Sequence, residues 1–416
     1  MEEFRHYWSN SAADLKILRA RWIAPVDRPP LQDAWISIRG DRIVGLGQGA
    51  HDGNAIDLGD TLIAPGFVNA HTHLEFSDLA APLGAPGQPL PDWIRGVLAW
   101  RRLTPASESA IARGLAQSAA AGTALLADIV QPAGLAALRD EPPLTVVALL
   151  ELLGLGDERR RQLEALAAEH LADRNLASGV LPGLSPHAPY STHPELVAAA
   201  VRLAGSQPVA MHLAESREEL ELLATGSGPF RALLEELGVW QSEVFAAPRR
   251  PLDYLELLAG ARRALVIHGN YLAHDEISFL AARADRLSLV YCPRTHEYFM
   301  HEPYPLAALL RAGVSLAVGT DSRASNPDLS VLSELRAIRR LHLQLDPNTI
   351  LELGTLAGAR AQGLAADHGS LTPGKLANLA IVPLPKAHAR DPVASVLADS
   401  QRVAAAISCG RLVAAN

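Results

Sequence analysis

Between residues 61 and 366 the chain alternates eight short apolar runs with segments rich in Ala, Leu, Arg and Glu, and this alternation limits the fold more than any other feature. The runs are LIAPGFVNA, TALLADIV, LTVVALLEL, GVLPGLSPH, PVAMHLAE, ALVIHGN, RLSLVYC and VSLAVGTD. Continuous apolar runs of this length read as strands covered on both faces, and strands separated by helical segments must pair in parallel. Eight such units predict an α/β fold, a closed (β/α)8 barrel, with functional side chains at the C-terminal ends of the strands. The flanks have another texture. Residues 1–60 (LKILRARWIA, AWISIRG, RIVGLG) and 367–416 (ANLAIVPLP, RVAAAISCGRLVAA) are short β-type pieces punctuated by Gly, Asp and Pro. Chain ends usually lie close together, so these pieces are expected to meet as one small β domain.

Composition bounds the partners. With 49% hydrophobic residues in 416 there is ample material for a core. The charge is -8, from 37 basic and 45 acidic residues, and no basic run interleaved with aromatics tracks a phosphate backbone, so nucleic acid is not expected. The start MEEFRHYWSN lacks a signal-peptide pattern, and the most apolar stretch, LTVVALLELLGLG, is interrupted by Glu151 and is too short to span a bilayer. A soluble, cytoplasmic protein with no membrane partner is the expectation, and a homodimer would be ordinary. The only cysteines are Cys292 and Cys409, so any metal must be held by His and carboxylates. GLGQG and GLGD miss the full dinucleotide fingerprint.

The polar residues fall where a barrel would gather them. His71 and His73 close the first run as H-T-H, a spacing that points both imidazoles of a strand to one face and makes a chelate. His187, His212, His268 and Asp321 lie at or near the ends of four other runs, which a barrel brings around one mouth. Asp321 ends an apolar strand, where an ionised carboxylate needs a partner, and a metal supplies one. Glu215 follows His212 by three positions and could reach water at the metal without ligating it. The lysines are Lys16, Lys375 and Lys386, all in the flanks. A two-metal site bridged by a modified barrel lysine is therefore excluded, and one divalent metal is expected.

The motifs PGFVNAHTH, HAPYS, MHLAE, VIHGN and GTDSRASN, with GSLTPGKLANLAIV near the end, closely resemble the amidohydrolase superfamily. The resemblance is narrower toward the branch of aminopurine and aminonucleoside deaminases (S-adenosylhomocysteine, guanine and aminodeoxyfutalosine deaminases) and triazine chlorohydrolases. It implies a distorted TIM barrel over 61–366 and a β-sandwich built from 1–60 and 367–416. It also implies His71, His73, His212 and Asp321 as metal ligands, Glu215 and His268 as catalytic residues beside Asp321, and His187 as a substrate contact. Where relatives usually carry C-P-x-S-N, this chain has Cys292-Pro-Arg-Thr-His296, which makes Arg294 and His296 candidate substrate contacts. Glu75, which extends the i, i+2, i+4 series from His71, is a further candidate. So are Trp93 and Arg95 in the long stretch 76–104.

The expected chemistry is attack by hydroxide generated at the metal, Zn2+ with Fe2+ as the alternative, on an amino-substituted heterocycle with release of ammonia. The same site could displace chloride or open a cyclic amide or imidazolone. A non-catalytic scaffold is disfavoured, because every proposed ligand and both acid/base residues are present.

Overall fold

The computed structural model describes residues 2–9, 15–50, 55–104, 107–385 and 391–416. Lys386 lies outside the described residues. Eight parallel strands form one sheet: β1 (Phe67–Thr72), β2 (Thr123–Val130), β3 (Thr145–Leu152), β4 (Val180–Pro186), β5 (Val209–Leu213), β6 (Ala264–His268), β7 (Leu287–Tyr291) and β8 (Ser315–Val318). The strands neighbour one another in sequence order, as successive β–helix–β units require. The sheet closes on itself where the ends of β1 and β8 meet. The Thr320 and Asp321 N–H groups both donate to the His71 carbonyl, at 3.1 and 3.0 Å. The Asn69 side chain adds a second clasp, its Nδ2 donating to Thr320 Oγ1 and its Oδ1 accepting from the Thr320 N–H.

The strand interiors explain the closure. Val68, Ala70, Leu125, Ala127, Val147, Leu149, Ala210, Leu265, Ile267, Val290 and Ala317 form one buried cluster. Side chains from nearly every strand can meet only inside the barrel. The outer faces bury the helices. The helix Val331–Leu341 shows the local logic: Val331, Leu332, Leu335 and Ile338 make one apolar stripe against the barrel, and the Ser330 hydroxyl accepts the Ser333 N–H to cap the first turn.

The remaining strands form a second sheet of eight from both ends of the chain. Its centre pairs Thr61–Pro65 antiparallel with Leu379–Pro383, so that Ile63 opposes Ile381. The expected union of the termini is thus a hydrogen-bonded one. Two details differ from the sequence expectation. The first apolar run divides between the sheets, with Leu62–Pro65 in the terminal sheet and the barrel strand starting at Phe67. Gly66 makes the turn, and a Cβ there would stand 2.5 Å from that of Ala124. The C-terminal segment also contains the helix Pro392–Ala398, whose Val393, Val396 and Leu397 join the barrel's outer core. No helix among the described residues is long and apolar enough to cross a membrane.

Candidate active site

Strand alternation alone would not assemble the polar residues. Ala210 faces the barrel interior, so His212, two residues on, does too. Ile267 also faces inward, and simple alternation would send His268 outward. His268 instead adopts φ +68°, which turns the chain at the strand end. Asp321 (φ +56°) and Ala214 (φ +52°), just before Glu215, are left-handed as well. In β1 the register against β2 shifts between Asn69 and Thr72, a bulge that re-aims His71. Backbone conformations costing of order 1–3 kcal/mol each persist where the surroundings over-determine them, commonly at functional sites.

The result is a compact donor cluster. His71, His73 and Asp321 offer ligand atoms within 4.8 Å of one another, and His71, His212 and His268 do the same. His71 Nε2 lies 3.4 Å from Asp321 Oδ1, and His73 Nε2 lies 3.8 Å from it. His212 donates its Nδ1 proton to the His187 carbonyl (2.9 Å), leaving Nε2 as a lone-pair donor. Burial lowers the pKa of His73, His212 and His268, which keeps these imidazoles neutral. Burial alone would raise Asp321, but the imidazoles around it, His71 foremost and then His268 and His73, hold it far below the ordinary carboxylate range. Among the described residues, both ring nitrogens of fully buried His71, and Nδ1 of His73, lack hydrogen-bond partners. Orphaned buried nitrogens facing an ionised carboxylate fit a divalent metal. His268, expected only as a catalytic residue, also stands within ligand reach.

Glu215 stands next to this cluster, its Oε1 3.4 Å from His268 Nε2. Burial raises its pKa well above the ordinary value, with Asp321 and Glu219 adding to the effect. Its backbone is held from both sides. Buried Glu219 accepts the Ala214 and Glu215 N–H groups (2.8 and 2.9 Å), and Asn270 Nδ2 donates to the Glu215 carbonyl (2.9 Å). The sequence reading passed over Glu219, although Ser216-Arg-Glu-Glu219 has the form of a helix capping box. It also passed over Asp128, whose carboxylate accepts the Leu74 N–H (2.8 Å) and fixes the turn after His73. Ser325, which donates to Asp321 Oδ2 (3.0 Å), was missed too.

A cavity of about 850 Å³ opens above the cluster, with His73, His212, Glu215, His268 and Asp321 on its floor. Of the expected substrate contacts, His187 and Trp93 line it. The Trp93 indole N–H is already used by the Leu83 carbonyl, so Trp93 offers an apolar ring. The other candidates do not line it. Arg95 pairs with Glu236 (2.7 Å) and Asp92 (2.8 Å), tying the helix Leu90–Leu103 to the helix Pro229–Glu236. Arg294 is held by Glu334 (2.6 Å) and Asp328 (2.7 Å), outside the cavity. His296 uses its nitrogens on Asn270 Oδ1 and the Glu302 carbonyl, and so braces the residue that holds Glu215. Glu75 misses the cavity because β1 ends at Thr72 and Leu74–Phe76 is a 3-10 turn, which breaks the period of two. Its buried carboxylate instead pairs with Arg101, which does line the cavity. Arg101 and Glu151, both cavity-lining, were not singled out from sequence. Glu151 was visible as the lone charge near the end of the third apolar run.

A buried cluster of imidazoles and one ionised carboxylate, at the C-terminal mouth of a parallel eight-stranded barrel, defines a metal-binding barrel enzyme. The chain belongs to the amidohydrolase family, whose model matches residues 62–413. Among relatives, 5-methylthioadenosine/S-adenosylhomocysteine deaminase of Moorella thermoacetica is 29% identical over 393 residues, covering 89% of this chain and 86% of its own. Aminodeoxyfutalosine deaminase of Deinococcus radiodurans is 31% identical over 321 residues, covering 73% of each chain. The crystal structure of Helicobacter pylori aminofutalosine deaminase superposes with a TM-score of 0.82 at 23% identity, over 96% of this chain and 100% of that one. The zinc complex of atrazine chlorohydrolase from Arthrobacter aurescens gives 0.77 at 20% identity, over 96% and 95%. At these identities the two structures show a shared fold.

Proposed function

We propose that this chain hydrolytically deaminates an adenosine-like nucleoside, converting a ring carbon bearing an amine into a carbonyl with release of ammonia. The observation that carries the reading is the placement of Glu215, a buried carboxyl with a raised pKa, 3.4 Å from His268 on the cavity floor beside the ligand cluster. The deaminase names of the relatives support the same reading.

His71, His73, His212 and Asp321 would hold one divalent ion, and their nitrogen and oxygen donors suit Zn2+, with Fe2+ the alternative. When bound, such an ion supplies a nucleophile at neutral pH by lowering the pKa of water toward ~7. Glu215 takes a proton from the attacking water and delivers it to the ring nitrogen next to the reacting carbon, which makes that carbon electrophilic. His268 and Asp321 orient the attacking oxygen. As the carbon–nitrogen bond breaks, Glu215 relays a proton to the departing amine, so ammonia rather than an amide anion leaves. His187, on the cavity wall, contacts the substrate.

The test is ammonia release by metal-replete protein from adenosine, methylthioadenosine, S-adenosylhomocysteine and aminodeoxyfutalosine, with loss of the adenine absorbance. Turnover of one or more of these, with free adenine poorer, is expected. Chloride release from a chlorotriazine or opening of an imidazolone, with no ammonia from any nucleoside, would overturn the proposal.

A further inference from the structure

The turn that carries Glu215 is gripped in a way that helix capping does not explain. The helix Arg217–Thr225 starts from the N-cap Ser216, and the residue three positions beyond that cap is Glu219. In a capping box, the carboxylate at this position accepts the N–H of the N-cap itself. Two other helices follow that rule. Asp253 accepts the Arg250 N–H (2.6 Å), and Glu276 accepts the Ala273 N–H (2.7 Å). Glu219 instead reaches past its N-cap to the two residues before it, giving one oxygen to each. Its Oε1 accepts the Ala214 N–H (2.8 Å) and its Oε2 accepts the Glu215 N–H (2.9 Å).

The burial of Glu219 points the same way. The buried carboxylates of Glu75, Glu276 and Glu334 pair with Arg101, Arg250 and Arg294, whereas Glu219, fully buried, has no salt-bridge partner among the described residues. A carboxylate without a cation is costly to bury, and capping a helix does not require burial. What the position serves is the backbone it holds. Ala214 is left-handed (φ +52°), a conformation unfavourable for alanine. The carbonyls of the same two residues are taken by the loop after β6, where the Tyr271 N–H donates to Ala214 (3.1 Å) and Asn270 Nδ2 donates to Glu215 (2.9 Å). Among the described residues, the N–H side of the turn rests on Glu219.

We propose that Glu219 is a positioning residue for proton transfer: by holding both N–H groups it fixes the left-handed turn at Ala214 and so keeps the Glu215 carboxyl on the cavity floor. This rests on the role given to Glu215 above. Glu215 Oε1 stands 3.4 Å from His268 Nε2, and a return of Ala214 to negative φ would swing the Cα–Cβ bond of Glu215 away from that place. Proton transfer needs the carboxyl within hydrogen-bond reach of the reacting group. Substrate binding does not draw on Glu219, which does not line the cavity. Loss of the grip should therefore lower kcat and leave KM unchanged.

Glu219→Gln tests this, because an amide can accept only one of the two N–H groups and sets its own NH2 against the other. Glu219→Asp keeps the charge but draws both oxygens back by one methylene. Ser216→Ala is the control for the helix itself, since the Ser216 hydroxyl accepts the Glu219 N–H (3.2 Å) and its loss weakens the cap while sparing the carboxylate. Each protein is measured for kcat and KM on a nucleoside that wild type turns over, with metal content and Tm alongside. Both Glu219 variants should keep metal and KM while kcat falls by at least about 10-fold, as misplacement of a reacting group by a fraction of an ångström to 1 Å produces. Ser216→Ala should lower Tm with kcat unchanged. Wild-type kcat in a folded, metal-replete Glu219 variant overturns the proposal and leaves the deaminase reading intact. So does a raised KM at unchanged kcat, or a loss of kcat in Ser216→Ala as large as in Glu219→Gln. Wild type inactive on every nucleoside, or a Glu215→Gln protein as fast as wild type, overturns both.

Discussion

Gly319 is the point at which the two ends of the barrel touch, and adding one methyl group there should loosen the metal site without unfolding the protein. A Cβ at Gly319 would stand 2.8 Å from His71 Cβ, 2.9 Å from His71 O and 3.0 Å from His71 N. Two of these neighbours are backbone, so no side-chain rotation relieves the contact. Reaching even the tight end of ordinary packing, 3.4 Å, requires the end of β8 to move about 0.6 Å away from β1. That displacement acts on the ligand geometry, because the Thr320 and Asp321 N–H groups hang on the His71 carbonyl and Asp321 Oδ1 sits 3.4 Å from His71 Nε2. Ligands need placement within about 0.5 Å, and overpacking costs roughly 1–3 kcal/mol. Gly319→Ala should therefore lower Tm by several degrees and weaken metal retention by at least ~10-fold. The assay is metal content after dialysis against a graded series of chelator concentrations, with circular dichroism to confirm the fold. A variant that holds metal as tightly as wild type at an unchanged Tm would refute the claim that this contact sets the site.

Glu215→Gln should retain metal and fold while kcat falls by at least ~10²-fold, because the amide cannot carry the proton; steady-state kinetics beside elemental analysis would show it. Arg294→Ala should act on stability and not on substrate affinity. It strips the partner from Glu334, which is fully buried, at a cost of about 3–5 kcal/mol in denaturant unfolding, with KM of the folded protein unchanged. His368 should make stability fall in acid. Burial lowers its pKa to about 4 in the folded state, with its Nδ1 3.0 Å from Asn378 Nδ2, whereas the unfolded chain takes up the proton near 6.5. The unfolded state then binds more protons between those values, so this contribution is complete above about pH 6.5 and is lost as pH drops toward 4. Unfolding titrations of wild type and His368→Gln should converge over that window.

The barrel was legible because its strands are buried on both faces, which writes each as an unbroken apolar run. The polar residues were legible because they interrupt those runs at one end only. The backbone devices that aim them were not. No residue pattern announces that His268 and Asp321 are left-handed or that β1 carries a bulge, since neither His nor Asp is a residue such conformations require. Substrate contacts were read least well. Arg294, His296 and Arg95 are polar residues in connections that follow barrel strands, on helices there, but each finds a partner of its own. Glu75 failed because a period of two was extended past the end of a strand. Arg101 and Glu151 line the cavity because elements far apart in sequence come together at its wall, which the order of residues does not display. Glu219 was the nearest miss, since the form of its capping box is visible and only its grip on the Glu215 backbone depends on the fold.

The central claim is that His71, His73, His212 and Asp321 make one functional metal site, with Glu215 beside it. The most direct measurement is titration of chelator-stripped protein with Zn2+, following bound metal and ammonia release from adenosine together. Activity should rise linearly and break at one equivalent per chain, and an Asp321→Ala protein should show neither binding nor turnover. A break at two equivalents, or full ammonia release from metal-free protein, would contradict the account.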